Sequence, residues 1–411
     1  MVENELVKKA RAIHDRVMVL DAHVDFSPAH LTGATNYTQR LETRLNLPKM
    51  IEGGLDAVFL IVFVGQTKEA QKPDAFTEAG YARAYVAAVE KFDAVHHFVR
   101  EIASDRIALA LTAADVHRIY AQGKKVALIG VENGYPMGED INRVEEFYDR
   151  GARYLALVHN GHNQLSDSHT GEHDGWKWNG LSPLGKQAIA EMNRLGIMVD
   201  VSHMSKAAMM QAAALSEAPI IASHSGVRAL CDVSRNLDDE QLLTLKKTGG
   251  VIQLVAYGGF VKAPKPDSPE RATALEALRK EYALPGPPAR GWRAGAQTAL
   301  AQLPAARRAD YDSKLAEIDE LYPGNPPATV RDFVDHIDYA VKLLGIDHAG
   351  IASDFDGGGG LAGWNDASET FNVTLELVRR RYTEEQIEKL WGGNMLRVME
   401  DVQRSGIHRG G

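Results

Sequence analysis

Eight short apolar runs recur along the chain and alternate with segments of helical pattern. The first four runs are VMVLDAHV, LDAVFLIVFV, KKVALIGVEN and ARYLALVHN, and the last four are GIMVDVSH, APIIASHS, GGVIQLVAY and HAGIASDFD. Most of them are continuous rather than alternating, as in parallel strands that are buried on both faces. The pattern therefore predicts eight parallel strands.

Helix signals lie between these runs. In SPLGKQAIAEMNRLG, Ser182 can cap the amino end, Pro183 suits the first turn and Gly196 follows the last turn. DDEQLLTLKKTGG, from Asp238 to Gly249, is a second such segment. Eight strands that alternate with helices predict an α/β fold, a (β/α)8 TIM-type barrel, and a doubly wound open sheet is the alternative.

Polar residues close most of the predicted strands. Those at the carboxyl ends are His23, Asp25, Glu132, His159, His203, His224 and Asp354. A barrel gathers the carboxyl ends of its strands around one mouth. This distribution therefore favours the barrel.

Two stretches fall outside the repeat. Residues 65–100 have a helical pattern, and residues 261–330 interrupt the chain between the seventh and eighth predicted strands. We interpret the second stretch, with its segments APKPDSPE and LPGPPARGW, as an insertion over the mouth of the barrel. The expected organisation is a single barrel domain over residues 1–411 that carries this insertion.

Composition narrows the class of protein. Of 411 residues, 45% are hydrophobic and 25% are charged, as in an ordinary soluble globular protein. Lys and Arg total 46 against 55 for Asp and Glu, and the basic residues are scattered, which disfavours a nucleic-acid partner. Cys231 is the single cysteine, so His and carboxylate side chains must hold any metal.

The sequence gives no sign of a membrane span, because no apolar stretch approaches the roughly 20 residues that cross a bilayer. The first residues, MVENELVKKARAIHDR, have an amphipathic helical pattern without the apolar centre of a secretory signal. We expect a cytoplasmic protein as the sequence stands, or a periplasmic or secreted one if a signal peptide has been removed.

His23 and Asp25 lie two residues apart, so on a regular strand both side chains project from one face, about 7 Å apart at their Cα atoms. A His-x-Asp pair is common by chance, and a structural hydrogen bond is the alternative for a strand-end His. However, VDVSH and IIASH end two further strands in His203 and His224. Three such strands that converge on one mouth favour metal binding.

Glu132 adds a carboxylate from the third predicted strand. Buried beside other ligands, it is costly to keep ionised without a cation, and its two oxygens can bridge two ions. One ion then has His23, Asp25 and Glu132, and the other has Glu132, His203 and His224. Two zinc ions about 3.5 to 4 Å apart lower the pKa of a shared water and polarise a carbonyl, which predicts hydrolysis.

Three further residues are candidates for substrate chemistry. Asp354 can carry a proton from the nucleophile to the leaving amine, unless it caps the next helix. His159 can polarise the substrate carbonyl, and a structural role is the alternative. Arg235 can clamp a substrate carboxylate, or it can pair with the nearby Asp238 or Asp239.

Other catalytic classes receive no support from the sequence. There is no G-x-S-x-G turn, and no basic signature adjoins Cys231. No P-loop or dinucleotide-binding glycine pattern follows the first strand, since DGGGG comes after the last one. His162, His169 and His173 crowd the loop after the fourth predicted strand and receive no role.

Eight segments carry a family resemblance: LDAHVDF, GVENG, LVHN, GLSPLGKQAIAEMNRLGIMVDVSHMS, ASHSGVRAL, RNLDDEQLLTLKKTGGVIQL, VDHIDYAVKLLGIDHAGIASDFDG and WGGNMLRVM. They extend from residue 20 to about residue 399. Together they resemble the membrane dipeptidase (renal dipeptidase) family of zinc peptidases, within the amidohydrolase-like superfamily. The resemblance implies a (β/α)8 barrel with two zinc ions, and it matches the same five ligands with Glu132 as the bridge.

The resemblance also implies roles for the remaining candidates. It places His159 near the scissile carbonyl, Arg235 near the C-terminal carboxylate of the substrate, and Asp354 at the position of catalytic proton transfer. Val24 stands where the family commonly has Asn, and Asn133 follows the bridging Glu where Gly is usual. Val24 can therefore change the hydrogen bonds around the ligands.

The leading hypothesis is a metallo-dipeptidase that cleaves dipeptides by a metal-bridging hydroxide, with a C-terminal D-residue among the candidate substrates. A metal-dependent amidase, lactonase or biosynthetic hydrolase of a modified peptide is the alternative on the same barrel. A non-catalytic metal or peptide binder is the third hypothesis. The expected partner is a small dipeptide substrate, and the resemblance alone implies a homodimer.

Overall fold

The computed structural model of the protein describes residues 3–66, 75–263, 265–286, 296, 299–300 and 302–406. The strands in this part of the chain are β1 (Leu20–Asp25), β2 (Ala57–Phe63), β3 (Ile107–Leu109), β4 (Lys125–Glu132), β5 (Ala152–Ala156), β6 (Met198–Asp200), β7 (Ile221–Ser225), β8 (Val251–Val255) and β9 (Ala349–Ala352). All eight predicted strands are among them. The additional strand, β3, pairs with the first residues of β4.

The strands pair in parallel in the order β1-β2-β4-β5-β6-β7-β8-β9. β1 and the segment after β9 meet at a seam, where Val24 pairs with Phe355. Here the amide of Asp25 donates to the carbonyl of Phe355 at 2.9 Å, and the amide of Asp354 donates to the carbonyl of His23 at 3.0 Å. The eight strands form a nearly closed barrel, which confirms the (β/α)8 fold class over the open sheet.

The chain divides into two compact units, Met1–Ala263 with Ala328–Gly411, and Pro264–Pro327. The second unit falls within the predicted insertion and contains the helices Pro269–Glu281 and Ala305–Leu321. A small hydrophobic cluster of its own includes Leu278, Tyr282, Leu284 and Ala296. The expectation that the insertion covers the mouth stays a prediction.

Helices fill the connections between the strands of the first unit. The α-helices are Glu3–His14, Leu47–Gly53, Glu78–His97, Ala113–Ala121, Asn142–Asp149, Gly171–Asp174, Pro183–Leu195, Lys206–Leu215, Asp239–Lys247, Gly258–Val261, Val330–Leu344, Phe371–Arg379, Glu384–Glu388 and Asn394–Ser405. Shorter 3-10 or π turns are Pro28–His30, Phe98–Ile102, Tyr135–Met137, Ile346–His348, Ala367–Glu369 and Lys389–Gly393. Among the described residues, no helix has the length and apolar character that a membrane span requires.

The two helices predicted from their terminal residues begin and end as expected. Ser182 caps Pro183–Leu195 with its side chain, and Gly196 ends that helix in the left-handed region with a φ of 76°. Asp238 caps Asp239–Lys247 in a capping box. Local sequence therefore sets the limits of both helices.

Alternation along β4 places a polar side chain at the mouth. Every second residue packs in one hydrophobic cluster (Ala127, Ile129 and Val131), and the residues between them pack in a second cluster (Val126 and Leu128). Glu132 continues the second series, so its carboxylate faces the barrel interior where the strand ends. Gly130 belongs to the same series, and a Cβ atom there would lie 2.2 Å from the ring of Tyr154.

Val24 belongs to the packing layer of the barrel. Its side chain is fully buried in the hydrophobic cluster that also contains Val58, Leu60 and Val62 of β2. Because neighbouring strand residues point to opposite faces, Val24 points away from the side chains of His23 and Asp25. The role of Val24 is therefore packing in this cluster rather than hydrogen bonding to the candidate ligands.

Candidate active site

The predicted site residues meet at the carboxyl ends of the barrel strands. His23 and Asp25 lie on β1, Glu132 ends β4, His224 lies on β7, and His159, His203 and Asp354 follow β5, β6 and β9. A cavity of about 300 Å³ is lined by Asp25, Glu132, His159, His203, His224 and Asp354 together with Phe63, Asn160, Tyr257, Phe260, Asp356 and Gly357. His23 is fully buried next to this cavity.

Glu132 is the centre of the cluster. Its Oε1 atom lies 3.0 Å from Nε2 of His203 and 3.1 Å from Nε2 of His224. Its Oε2 atom lies 3.7 Å from Nε2 of His23, and that nitrogen is 3.8 Å from Oδ2 of Asp25. Each oxygen of one carboxylate therefore faces a different group of candidate ligands.

Hydroxyl groups orient two of these imidazoles through Nδ1. Nδ1 of His23 lies 3.0 Å from the hydroxyl of Tyr154, which donates to a main-chain carbonyl of β1. Nδ1 of His224 lies 2.8 Å from the hydroxyl of Ser223, which donates to Asp200 at 2.6 Å. Because each hydroxyl gives its own proton elsewhere, it accepts the Nδ1 proton. In each neutral ring the lone pair is then on Nε2, which faces the central carboxylate.

An amide orients the third imidazole in the same way. Nδ1 of His203 lies 3.2 Å from Oδ1 of Asn160, and Nε2 of His169 lies 2.8 Å from the same oxygen. An amide oxygen only accepts hydrogen bonds, so both rings donate to it. Nε2 of His203 consequently carries the lone pair that faces Glu132.

These donor atoms fit divalent metal ions. Nε2 of His23 is buried and has no hydrogen-bond partner among the described residues. Nε2 of His203 and Nε2 of His224 are 3.1 Å apart, so two lone pairs meet beside a carboxylate oxygen. A cation removes this repulsion, and imidazole nitrogen and carboxylate oxygen are ligands that zinc accepts. The site contains three groups of side chains, and in each group the possible ligand atoms lie within 4.8 Å of one another. Together the groups contain the five predicted ligands, His159 and Asp354.

Burial and mutual charge shift the pKa values in this cluster. Burial lowers the pKa of His203 and of His224 well below the usual value, so both rings are neutral. Burial acts in the same direction on His23, but the charges of Glu132 and Asp25 outweigh it and raise its pKa to about 9. Burial also raises the pKa of Asp25 to about 6. In the protein alone, the imidazole of His23 therefore carries a proton at neutral pH.

Asp354 lies in a tight turn beside the ligands. Its φ of 58° is in the left-handed region, and none of the described helices uses it as a cap. Burial raises its pKa well above the usual value for a carboxyl group. A Cβ atom on Gly357 would lie 2.3 Å from Oδ2 of Asp25 and 2.4 Å from Oδ1 of Asp354, so only glycine lets the loop pass so close to both carboxylates.

His159 lies on the other side of the central carboxylate. Its Nε2 atom is 3.9 Å from Oε1 of Glu132, and its ring packs on Phe63 with the centroids 4.5 Å apart. Nδ1 is buried and has no hydrogen-bond partner in the described part of the chain. Burial holds the pKa of His159 below its usual value, so a neutral imidazole borders the cavity.

Arg235 is buried against the strand that carries His224. Its Nη1 atom donates to the hydroxyl of Ser225 at 2.8 Å, and its Nη2 atom donates to the carbonyl of His224 at 2.6 Å. Nε has no partner within the described ranges. Burial lowers the pKa of Arg235 to about 10, which leaves it charged at neutral pH. Among the described residues Arg235 pairs with neither Asp238 nor Asp239: Asp238 binds Lys206 at 2.7 Å, and Asp239 accepts from the hydroxyl of Tyr339 at 2.9 Å.

The sequence reasoning missed the aromatic and amide groups of the cavity. Phe63 ends β2, and Tyr257 and Phe260 follow β8 with their ring centroids 4.3 Å apart. In a sequence, aromatic residues at strand ends cannot be told from core residues. Their place at the carboxyl end of a predicted strand was the only signal that they line the cavity. Asn160 directly follows His159, and His169 received no role although it shares the oxygen of Asn160 with a predicted ligand.

Comparisons with known proteins identify the family of the chain and related dipeptidases. The sequence model of the family described as Membrane dipeptidase (Peptidase family M19) matches residues 7–408. Dipeptidase tcpJ of Claviceps purpurea (strain 20.1) is 28% identical over 399 residues, which cover 97% of this chain and 78% of that protein. The crystal structure of the probable dipeptidase PvdM from Pseudomonas aeruginosa is 34% identical, with a TM-score of 0.79 over 98% of this chain and 100% of that one.

A more distant structure shares the fold. It is the crystal structure of a metallo peptidase from Rhodobacter sphaeroides liganded with a phosphinate mimic of the dipeptide L-Ala-D-Ala. That chain is 23% identical and superimposes with a TM-score of 0.67 over 94% of this chain and 99% of its own.

Proposed function

The chain belongs to the membrane dipeptidase family and is a metallo-dipeptidase, and from this premise we propose that its cavity hydrolyses dipeptides with two zinc ions bound. One observation carries the proposal. Imidazoles from three strand ends direct Nε2 at the two oxygens of Glu132, inside a cavity of about 300 Å³. Ligand sites of about 300 to 1,000 Å³ are usual for small molecules, so this cavity suits a dipeptide better than a longer chain.

Glu132 would divide the ligands between the two ions. His23 and Asp25 would complete the set on the side of Oε2, and His203 and His224 would complete the set on the side of Oε1. When bound, zinc supplies a Lewis acid that polarises a carbonyl and lowers the pKa of a water molecule. The hydrogen bonds to the three Nδ1 atoms orient the ligands in advance.

Asp354 would carry the proton of the reaction. Attack by water on the scissile carbonyl forms a C–O bond and releases a proton, and cleavage of the C–N bond requires a proton on the leaving amine. A buried carboxyl group with a raised pKa can accept this proton and return it near neutral pH.

His159 and Arg235 would bind the substrate on either side of the reacting bond. A neutral His159 can donate one hydrogen bond to the carbonyl oxygen as negative charge develops there. Arg235 keeps free N–H groups beyond its bonds to β7, including Nε–H, and these can hold the C-terminal carboxylate. A carboxylate held next to the reacting bond places that bond one residue from the C-terminus of the substrate, as in a dipeptide.

Hydrolysis of a dipeptide library by the zinc-loaded protein tests the proposal. We expect release of both amino acids from dipeptides, with dipeptides that end in a D-residue among the substrates, and no release from tripeptides. Asp354→Asn retains the shape of the side chain but not its proton transfer, so kcat should fall about 10²- to 10⁴-fold at unchanged zinc content. Turnover of an N-acyl or lactone compound by a protein that leaves every dipeptide intact would contradict the proposal and favour a hydrolase of modified substrates.

A further inference from the structure

Asn160 lines the cavity directly after His159, and its side-chain oxygen is already engaged. Oδ1 accepts hydrogen bonds from Nδ1 of His203 at 3.2 Å and from Nε2 of His169 at 2.8 Å. A His203 ring that binds zinc through Nε2 carries its proton on Nδ1, and the reverse orientation of the amide would set its N–H groups against that proton. The position of Oδ1, and with it that of Nδ2, is therefore fixed by the ring of a predicted ligand.

The main chain at this position is fixed as well. Nε2 of Gln66 donates to the carbonyl of Asn160 at 3.0 Å and to that of Gly161 at 2.6 Å. Gln66 in turn accepts a hydrogen bond from Nδ2 of Asn133 at 2.5 Å. Asn133 adopts a φ of 77°. Asn133 and Gln66 thus contribute to the rigid placement of Asn160.

Nδ2 of Asn160 has no such partner. No residue in the described ranges accepts a hydrogen bond from it, whereas both lone pairs of Oδ1 are used. Since Asn160 borders the cavity, its NH₂ group is available as a donor to a bound molecule. A fixed donor on a rigid loop is the type of group that orients a ligand.

Arg235 is bonded to a residue that lines the cavity. Its Nη2 atom donates to the carbonyl of His224 at 2.6 Å. In addition, Nδ1 of His169 lies 2.9 Å from the hydroxyl of Ser234, the residue before Arg235. A ligand oxygen that Asn160 can reach therefore lies in the field of the guanidinium, which favours a carboxylate.

We propose that Asn160 is a substrate-binding residue whose Nδ2 group donates a hydrogen bond to the C-terminal carboxylate of the dipeptide, alongside Arg235. This inference rests on the proposed function of the cavity and adds a second donor for the same substrate group. An amide and a guanidinium together supply N–H groups to both oxygens of a carboxylate.

Asn160→Asp tests the inference, because it keeps Oδ1 for the two imidazoles and replaces the NH₂ group by an oxygen that repels a carboxylate. The probes are a phosphinate analogue of Ala-Ala and its C-terminal carboxamide, with binding measured by calorimetry on the zinc-loaded proteins. We expect Asn160→Asp to weaken binding of the carboxylate analogue about 10- to 100-fold, in line with a lost hydrogen bond to a charged group. The affinity for the carboxamide analogue should change less than about threefold, because the N–H of the carboxamide can donate to the new oxygen.

Two further variants separate binding from structure. Gln122→Glu adds the same charge at an exposed position, and it should leave both affinities unchanged. Asn160→Ala also removes the acceptor of His203, so it should lower zinc affinity about 10- to 100-fold, whereas Asn160→Asp retains zinc.

Each contrary outcome is decisive. Unchanged affinity of Asn160→Asp for the carboxylate analogue, in a protein that hydrolyses dipeptides, would overturn the inference alone. Loss of zinc from Asn160→Asp would show that Nδ2 rather than Oδ1 faces the imidazoles, and it would overturn the inference as well. If the unsubstituted protein neither hydrolyses dipeptides nor binds either analogue, the proposed function fails and the inference fails with it.

Discussion

The imidazole of His23 illustrates how the barrel prepares a ligand at the scale of single residues. Its Nδ1 atom donates to Tyr154, its ring stacks on His224 with the centroids 3.7 Å apart, and its Nε2 atom faces Glu132 without a hydrogen bond. Nearby negative charge keeps this ring protonated at neutral pH, with a pKa of about 9. A metal ion that binds through Nε2 must displace that proton.

Zinc affinity should therefore depend on pH. Because the folded protein without metal holds the His23 proton up to about pH 9, raising the pH towards 9 removes the competing proton. Between pH 7 and about 8 the apparent association constant of one zinc ion should rise about tenfold per pH unit, the slope for one displaced proton, and the rise should level off above about pH 9. Competition with a chelating dye at a series of pH values measures this slope.

His23→Gln provides the matched control for that slope. The amide has no proton to release in this range, so the variant should bind zinc more weakly and with no comparable pH dependence. A flat profile for the unsubstituted protein would contradict the assignment of the proton to His23.

For single residues, the sequence could predict the candidate ligands and their convergence but not the groups that orient them. His and Asp or Glu at strand ends are recognisable because their chemistry is unusual at the end of an apolar run. The groups that orient His23 and His224 lie inside apolar strands, where the sequence does not mark them as partners of a ligand. They are Tyr154, Ser223 and Asp200. Their contacts join strands that are far apart in sequence, and only the closed barrel brings them together.

Among the secondary-structure elements, β4 shows how alternating side chains build the site. The face of β4 that carries Glu132 also carries Gly130, and the ring of Tyr154 occupies the space where a Cβ atom would be, with three ring atoms within 2.7 Å. Tyr154 reaches from β5 to the imidazole on β1. Glycine in the middle of this strand thus makes room for the group that orients a ligand.

Gly130→Ala should accordingly destabilise the protein. The added methyl group overlaps the buried ring of Tyr154, and overpacking of this kind costs about 1 to 3 kcal/mol in the free energy of unfolding. Displacement of the ring should also weaken zinc binding. Urea unfolding monitored by circular dichroism measures the first effect, and the chelator competition measures the second.

Gly33→Ala is the control for this prediction, because a Cβ atom at Gly33 meets nothing within 4 Å. Its free energy of unfolding should stay within about 0.5 kcal/mol of the unsubstituted value. Equal stability of both variants would contradict the steric account of Gly130.

Helices with clear capping residues could be predicted from the sequence, whereas a strand that forms only by pairing with its neighbour could not. Caps such as Ser182 and Asp238 identify helix ends within the local sequence. β3 is only three residues long, and it is a strand because it pairs with β4. The helical pattern predicted for 65–100 matches Glu78–His97, while residues 67–74 lie outside the described residues.

At the scale of the whole molecule, the barrel follows from repetition. Eight apolar runs, most of them with polar carboxyl ends, allow few arrangements, and closure between Val24 and Phe355 selects the barrel. The fold within the insertion could not be predicted in the same way. Its helix Ala305–Leu321 contains no fully buried residue, and Tyr311, Leu315 and Ile318 pack only partly buried against the small cluster of the insertion, which is a weak signal in the sequence.

The central claim is that residues from four strand ends bind two zinc ions around one carboxylate. Zinc content after equilibrium dialysis, measured by mass spectrometry on the unsubstituted protein, Glu132→Ala and the exposed control Glu42→Ala, tests it most directly. We expect about two zinc ions per chain in the unsubstituted protein and in Glu42→Ala, and fewer than about one in Glu132→Ala, because both sites share that side chain. One zinc ion or none in the unsubstituted protein, or two retained in Glu132→Ala, would contradict it.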